Sequence, residues 1–235
     1  MNYRYTNIIY TCILFVICIL LFCTNIAGYP FIDMDETKFA AIAKDMLNNN
    51  DWLNIKLNGE NIFDLSPLFF WVINVSCFIM GKISTEAVRL PVSLITSAGI
   101  IILYYCIKNI LTKTYAFIIS LIMAANIGIM VFSRLATNDI MFCIITMLII
   151  LNTYLSIFEK NEKTKAKYWI LMYIFTALDI LCSGLFGLFI PLFAIISIYI
   201  FSGRQKEIFY ARNIITGIII LLIIVMPWNV IMIHK

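Results

Sequence analysis

The sequence is short of charge. Of its 235 residues only 13% are Asp, Glu, Lys or Arg, while 63% are apolar; a soluble domain carries about 25% charged and about 45–50% apolar residues. A water-soluble globule of this length cannot bury so much apolar surface, so a bilayer must act as the second solvent. Histidine is nearly absent: the single His234 sits at the end of the chain, where it reads as part of an interfacial terminus rather than as a ligand. The net charge of +4 contains no block of basic residues, which removes the electrostatic footprint of nucleic-acid binding. Cys12, Cys18, Cys23, Cys77, Cys106, Cys143 and Cys182 form no CxxC pair and no metal-ligand cluster, and read as small hydrophobes in membrane helices. With 5 prolines and 9 glycines, and abundant Ile, Asn, Lys and Tyr, the composition carries an AT-rich coding bias. Pattern is therefore a better guide here than propensity.

What the chain has instead is long apolar runs. Crossing about 30 Å of hydrocarbon takes roughly 20 residues, and seven runs approach that: 8–27, 87–110, 115–132, 140–158, 168–182, 185–201 and 214–233. Only Ser183 and Gly184 separate the fifth from the sixth, leaving two tight spans or one broken helix. The first run, flanked by Arg4, is longer than a signal peptide's apolar region and no small-x-small cleavage site follows it, so it reads as an uncleaved anchor. Short-loop Lys and Arg set the orientation. With the amino terminus in the cytoplasm, Arg4, Lys108, Lys113, Lys160, Lys163, Lys165, Lys167, Arg204, Lys206 and Arg212 all fall inside. The short outer loops then keep little beyond Arg134 and Lys235, and the long segment 28–85 lies outside.

That outer segment departs from the span pattern. Over 35–47, Phe39, Ile42, Ala43, Met46 and Leu47 fall on one face of a helix too short and too charged to cross, which predicts a helix along the membrane surface. Pro67–Met80 is apolar but only 14 residues long, the length of an interfacial or re-entrant helix. Between them lies a polar loop with Asp51, Trp52, Asn58, Gly59 and Asp64.

Asp35 and Glu36 open the surface helix, as first-turn acids that complement the helix dipole do. A functional reading gains from topology, because the short outer loop 133–139 brings Asp139 out on the same face. A carboxylate at the lip of a span marks a candidate site. Asp179 lies well inside the fifth run; it must be protonated, paired or facing a polar cavity there, with Arg134 as one candidate partner.

Several stretches are familiar in order. Asp35-Glu36-Thr37-Lys38-Phe39-Ala40, Ala43-Lys44-Asp45-Met46-Leu47, Asp51-Trp52 and Leu57-Asn58-Gly59 come first. Phe63-Asp64-Leu65-Ser66-Pro67-Leu68-Phe69-Phe70-Trp71, Ala87-Val88-Arg89-Leu90-Pro91, Arg134-Leu135-Ala136-Thr137-Asn138-Asp139 and Met226-Pro227-Trp228 follow. This series resembles the aminoarabinose transferase and protein O-mannosyltransferase superfamily, membrane glycosyltransferases of the GT-C fold. The resemblance implies an all-α polytopic bundle of about seven spans, with 28–86 as an outer loop bearing interfacial helices and 1–235 as a single transmembrane domain. It implies transfer of a sugar from a polyprenyl-phosphate carrier to a lipid A-like or protein acceptor, at the outer face of the plasma (cell inner) membrane. In that reading Asp35 and Asp139 are catalytic, and Glu36, Lys38, Asp64, Arg89 and Arg134 bind substrate. A carboxylate can serve as general base on an acceptor hydroxyl or orient an ionised acceptor, while the departing phosphate needs cations or a divalent metal; no residues here define a metal site.

The departures point the other way. Lys38 stands where the family has Arg and loses bidentate phosphate geometry, and Leu65 and Ser183 stand where it has Lys. The resemblance covers only the family's amino-terminal portion, so the expectation is a chain that transfers poorly alone and that a second chain supplying further spans would complete. The alternatives are a non-catalytic polytopic remnant or partner subunit and, more distantly, a transporter, which broken helices and an intramembrane Asp also suit.

Overall fold

The computed structural model describes residues 3–32, 34–62, 64–204 and 211–233; Phe63, Lys206, His234 and Lys235 fall outside them. Its secondary structure is helical apart from one two-stranded ribbon. α1 (Tyr3–Cys18) runs into a π-helical turn, Ile19–Cys23, and is followed by α2 (Met34–Asn48), β1 (Lys56–Leu57), β2 (Glu60–Asn61), α3 (Pro67–Met80) and α4 (Thr85–Ile107). Then come α5 (Lys113–Ala124), α6 (Ile127–Phe132), α7 (Asp139–Phe158), α8 (Glu162–Ser183), α9 (Phe186–Phe201) and α10 (Ala211–Ile233).

Five helical stretches among the described residues are long and apolar enough to cross a bilayer: Tyr5–Cys23, Thr85–Ile107, Asp139–Phe158, Glu162–Ser183 and Ile214–Met232. Their outward faces are apolar. Ile215, Ile218, Leu222 and Ile223 on α10 are all 48–67% exposed, a state that water would penalise and lipid tolerates. The run 115–132 is where the fold departs from the hydropathy reading. It is two helices, because the Asn126 side chain accepts the backbone N–H groups of Gly128 and Ile129 and so starts α6 afresh. Asn161 caps α8 in the same way, through Lys163 and Thr164. The fifth and sixth runs are likewise two helices, turned at Gly184, whose φ of 60° suits glycine.

The chain forms two compact units: Met1–Trp52, Lys56–Asn61 and Phe69–Met141 in unit 1, and Leu53–Ile55, Ile62–Leu68 and Phe142–Lys235 in unit 2. In unit 1, α4 packs on α1, its π turn and α5. The apolar stripe of α2 finds protein rather than lipid: Phe39 makes edge contacts with Phe69 and Phe70 of α3, at ring separations of 5.3 and 5.7 Å, and Ile42, Ala43 and Met46 are buried. The polar loop after α2 is tightened by a hairpin, Lys56 opposite Asn61 and Leu57 opposite Glu60. Its two-residue turn is Asn58-Gly59, both at positive φ, the chemistry such turns favour. In unit 2, α8 packs against α9 and α10. There a Cβ on Gly217 would fall 2.2 Å from the Tyr173 ring, so only glycine lets that ring lie on α10.

α3 has the bounds that its hydrophobic run predicts, and at 14 residues it covers about 21 Å, short of the hydrocarbon core. Its Trp71 donates its indole N–H to the carbonyl of Trp52 at 2.7 Å. Trp71 fluorescence is expected to be quenched most by lipids carrying a quencher near the headgroup; strongest quenching from the acyl-chain end would show that α3 is not interfacial.

Candidate functional site

The adjacent acids that open α2 have opposite fates. Asp35 is exposed, whereas Glu36 is wholly buried against a wholly buried Arg89 of α4. The pair is bidentate: Arg89 Nε donates to Oε1 and Nη2 to Oε2, both at 2.8 Å. Nη1 also donates to the carbonyls of Ile26 and Tyr29, at 2.8 and 2.9 Å, and Nη2 to that of Pro30 at 3.0 Å. All five guanidinium N–H groups are thereby used. The Tyr29 ring lies 4.3 Å from the guanidinium carbon and the Phe31 ring 5.4 Å, adding cation–π contact. Glu36 is equally saturated: its Oε1 accepts from the Ala136 N–H at 2.8 Å and its Oε2 from that of Ile32 at 3.1 Å.

One ion pair therefore ties together the strap before α2, the first turn of α2, α4 and the loop before α7. A second layer reinforces it. Ser93, one turn along α4, has its hydroxyl 2.8 Å from the Ser133 carbonyl and 3.1 Å from that of Phe22. Arg134 donates through Nε to the Leu21 carbonyl at 2.8 Å and through Nη2 to the Thr24 hydroxyl at 3.3 Å. Next to the clamp in sequence are the groups with chemistry to offer. Asp35 is exposed one residue before Glu36, and Asp139 is exposed where α7 begins, three residues after Ala136. Lys38 is half-buried and without a partner among the described residues, and the half-buried Arg134 has three further N–H donors. Glu36 and Arg89, expected from sequence to meet substrate, have no hydrogen-bonding position left for one.

Burial alone would raise the pKa of Glu36. The Arg89 hydrogen bonds, the N–H groups of Ala136 and Ile32, and the guanidinium charge outweigh it and hold the carboxyl below its usual 4.5. A carboxylate so lowered stabilises the fold above its unfolded value and loses that contribution as pH falls through its folded value. The melting temperature in detergent is accordingly expected to drop on acidification below about 4.5, with a shallower dependence in Glu36→Gln, which has no charge to lose. An identical acid profile in the two proteins would remove Glu36 as the cause.

Unit 2 holds the remaining candidate, Asp64, exposed on the turn before α3. The same turn approaches the α8–α9 corner, where a Cβ on Gly184 would come within 3.3 Å of the Ser66 hydroxyl. Leu65 and Ser183 thus flank one junction. Trp228 donates its indole N–H to the Leu53 carbonyl at 3.1 Å, which gives the Met226-Pro227-Trp228 stretch a structural task. Asp179 is not partnered by Arg134. It is buried in α8 and accepts from the Thr146 hydroxyl of α7 at 2.8 Å, while its Oδ1 has no partner among the described residues. Thr146 carried no sequence signal. Among the described residues no three His, Cys, Asp or Glu side chains gather to hold a metal ion.

A polytopic helical membrane protein with a buried Glu–Arg clamp between its first long loop and α4, an exposed Asp35 next to the clamp's Glu36 and an exposed Asp139 at the start of α7 is the class these features define. The dolichyl-phosphate-mannose-protein mannosyltransferase family model matches residues 64–231, and the chain belongs to that family. The match takes in Asp64, Arg89, Arg134 and Asp139 and begins after Asp35. Among curated proteins the chain is similar to the undecaprenyl phosphate-alpha-4-amino-4-deoxy-L-arabinose arabinosyl transferase of Yersinia enterocolitica, 25% identical over 197 residues that cover 83% of this chain and 35% of the relative. The Yersinia pestis protein of the same name is 24% identical over 198 residues, again 83% of this chain and 35% of the relative. The chain thus spans about a third of the length of these relatives. Its fold is that of ArnT from Cupriavidus metallidurans, solved bound to undecaprenyl phosphate, with a TM-score of 0.84 at 17% identity over 98% of this chain and 42% of the other. The apo form of the same protein superposes equally well, at 0.84 and 20% identity over 94% of this chain and 41% of that one.

Proposed function

We propose that the protein acts in sugar transfer from a polyprenyl-phosphate carrier to a lipid A-like or protein acceptor at the outer face of the plasma membrane. The observation that supports this reading is the clamp, which ties the first turn of α2, next to Asp35, to the loop before α7, three residues before Asp139. Asp35 is assigned as the base that takes the proton of an acceptor hydroxyl, or that orients an acceptor already ionised, and Asp139 as its support. Lys38 and the unused donors of Arg134 face the phosphate as its charge develops, and Asp64 contributes to substrate binding. Glu36 and Arg89 act as positioning residues. The relatives named above act on undecaprenyl phosphate-linked aminoarabinose, which makes that the first donor to try. Leu65 and Ser183 favour a second reading, a subunit that binds the lipid carrier without transferring sugar.

The test is to express the chain, alone and beside a second chain carrying the remaining two thirds of a relative's length, in cells lacking their own aminoarabinose transferase. Envelope lipid is then analysed by mass spectrometry. A sugar adduct in either case supports the transferase reading, and its absence in both, with the chain present in the membrane, overturns it. Orientation is checked separately. With the amino terminus inside, Asn58→Cys is expected to react with an impermeant thiol reagent on intact cells and Lys163→Cys is not; the reverse pattern would invert the topology.

A further inference from the structure

In unit 1 the break between α5 and α6 leaves irregular backbone uncovered at membrane depth. Phe117 of α5 stacks on Tyr10 of α1 at 4.6 Å. Beyond α6, Arg134 bonds to Leu21 and Thr24 at the far end of the span Tyr5–Cys23. The stretch between these anchors therefore runs alongside α1. Asn126 lies about 14 Å along the axis from Phe117, level with Ile19 and inside the apolar span. Ala125, Asn126, Ile127 and Gly128 are all exposed there. The Asn126 Oδ1 is taken by the N–H groups of Gly128 and Ile129, but its amide NH2 has no partner among the described residues. The Ala125 carbonyl likewise accepts no backbone N–H, although the Ala125 N–H returns to Leu121. Within hydrocarbon, irregular backbone is tolerated only where protein or a water-filled cavity covers it. This patch faces outward, so its cover comes from outside the chain.

We infer that the cover is the same break of a second copy of this chain. The patch carries one donor, the Asn126 amide, and one acceptor, the Ala125 carbonyl, and so is its own complement. Across a two-fold axis each Asn126 donates to the other copy's Ala125, and both unmet groups are satisfied at once. Ala125 and Gly128 are small, which lets two backbones approach closely. A Cβ on Gly128 would meet nothing within 4 Å except the Asn126 Oδ1, at 3.1 Å, so that side is open to a neighbour. Ile122 and Ile127, 66% and 78% exposed, supply the apolar surround. A lipid tail offers neither donor nor acceptor, and a helix bearing a lone basic or acidic side chain would meet only one of the two groups. The inference is indifferent to which side is the cytoplasm, and it does not rest on sugar transfer.

The experiment mixes donor- and acceptor-labelled copies of the whole chain in phosphatidylcholine vesicles and follows energy transfer as lipid is added. Transfer is expected to exceed the collisional level and to fall on dilution along a monomer–dimer curve. Asn126→Thr keeps a hydroxyl to cap α6 but lacks the amide's donors, and it is expected to weaken association by about 10- to 100-fold, the range of two interhelical hydrogen bonds. Ala125→Leu leaves Asn126 in place and holds the two backbones apart, so it should weaken association too. Ala125 is exposed, so the fold should survive this change, and the melting temperature of each variant in detergent is recorded alongside. If Asn126→Thr fails to fold, Ala125→Leu decides alone. Transfer at the collisional level, association unchanged in Ala125→Leu or in a folded Asn126→Thr, or association that requires a second, different chain would each overturn the inference.

Discussion

Arg89→Ala is expected to destabilise the protein by about 3–5 kcal/mol, the usual consequence of leaving a buried carboxylate without its cation. Thermal unfolding in detergent would measure it. Many buried ion pairs can be replaced by two apolar residues at little cost, because both charges go together. This one differs. The carbonyls of Ile26, Tyr29 and Pro30 and the N–H groups of Ile32 and Ala136 all depend on Arg89 or Glu36 for a hydrogen bond. Each orphaned group costs about 1–3 kcal/mol, so the double variant Glu36→Met with Arg89→Met is expected to stay well below the parent. Arg89→Lys keeps the charge but has three donors where five are used, and should recover only part of the loss. A double variant as stable as the parent would show that the backbone groups find water or other partners.

The second large effect concerns chemistry. Under the transferase reading, Asp35→Asn is expected to lower the transfer rate by about 100- to 10,000-fold, the range that one general base supplies. Because Asp35 is exposed, folding and membrane insertion should survive the change, which separates it from Arg89→Ala. Asp35→Glu retains the carboxylate one methylene further out and should retain part of the rate, and Asp139→Asn should cost less than Asp35→Asn. If Asp35→Asn transfers sugar at the parental rate, Asp35 is not the base. The measurement is single-turnover transfer from a polyprenyl-phosphate sugar in proteoliposomes, with each variant's melting temperature recorded alongside.

Much of this architecture is legible in the residues themselves. Hydropathy locates the long helices, because nothing but a helix satisfies its backbone in lipid, and periodicity locates α2 together with the face it buries. The Asn58-Gly59 turn carries a readable hairpin signal, though the flanking strands are only two residues each and lack the alternation that announces a strand. Asn126 hides its break inside an apolar run, since an averaging window smooths away a single capping side chain. The site is harder to read. Motif order singles out Glu36 and Arg89 but assigns them outward to substrate. That they turn inward to each other depends on α4 passing behind α2, a tertiary arrangement with no local trace. Asp179 shows the same limit: its isolation in an apolar run is plain from sequence, while its neighbour Thr146 on α7 is not.

The clamp also fixes an order of events during synthesis. It joins residues 53 apart at Glu36 and Arg89, and 100 apart at Glu36 and Ala136. Closing such separations is entropically costly until the intervening helices are in place. A nascent chain that has delivered α2 but not α4 therefore holds Glu36 as an unmatched acid, and the clamp is complete only after the segment around residue 136 has been made. Surveillance proteases that sample half-inserted chains would meet the strap before α2 loose until Arg89 arrives, and the loop before α7 loose until Ala136 reaches Glu36.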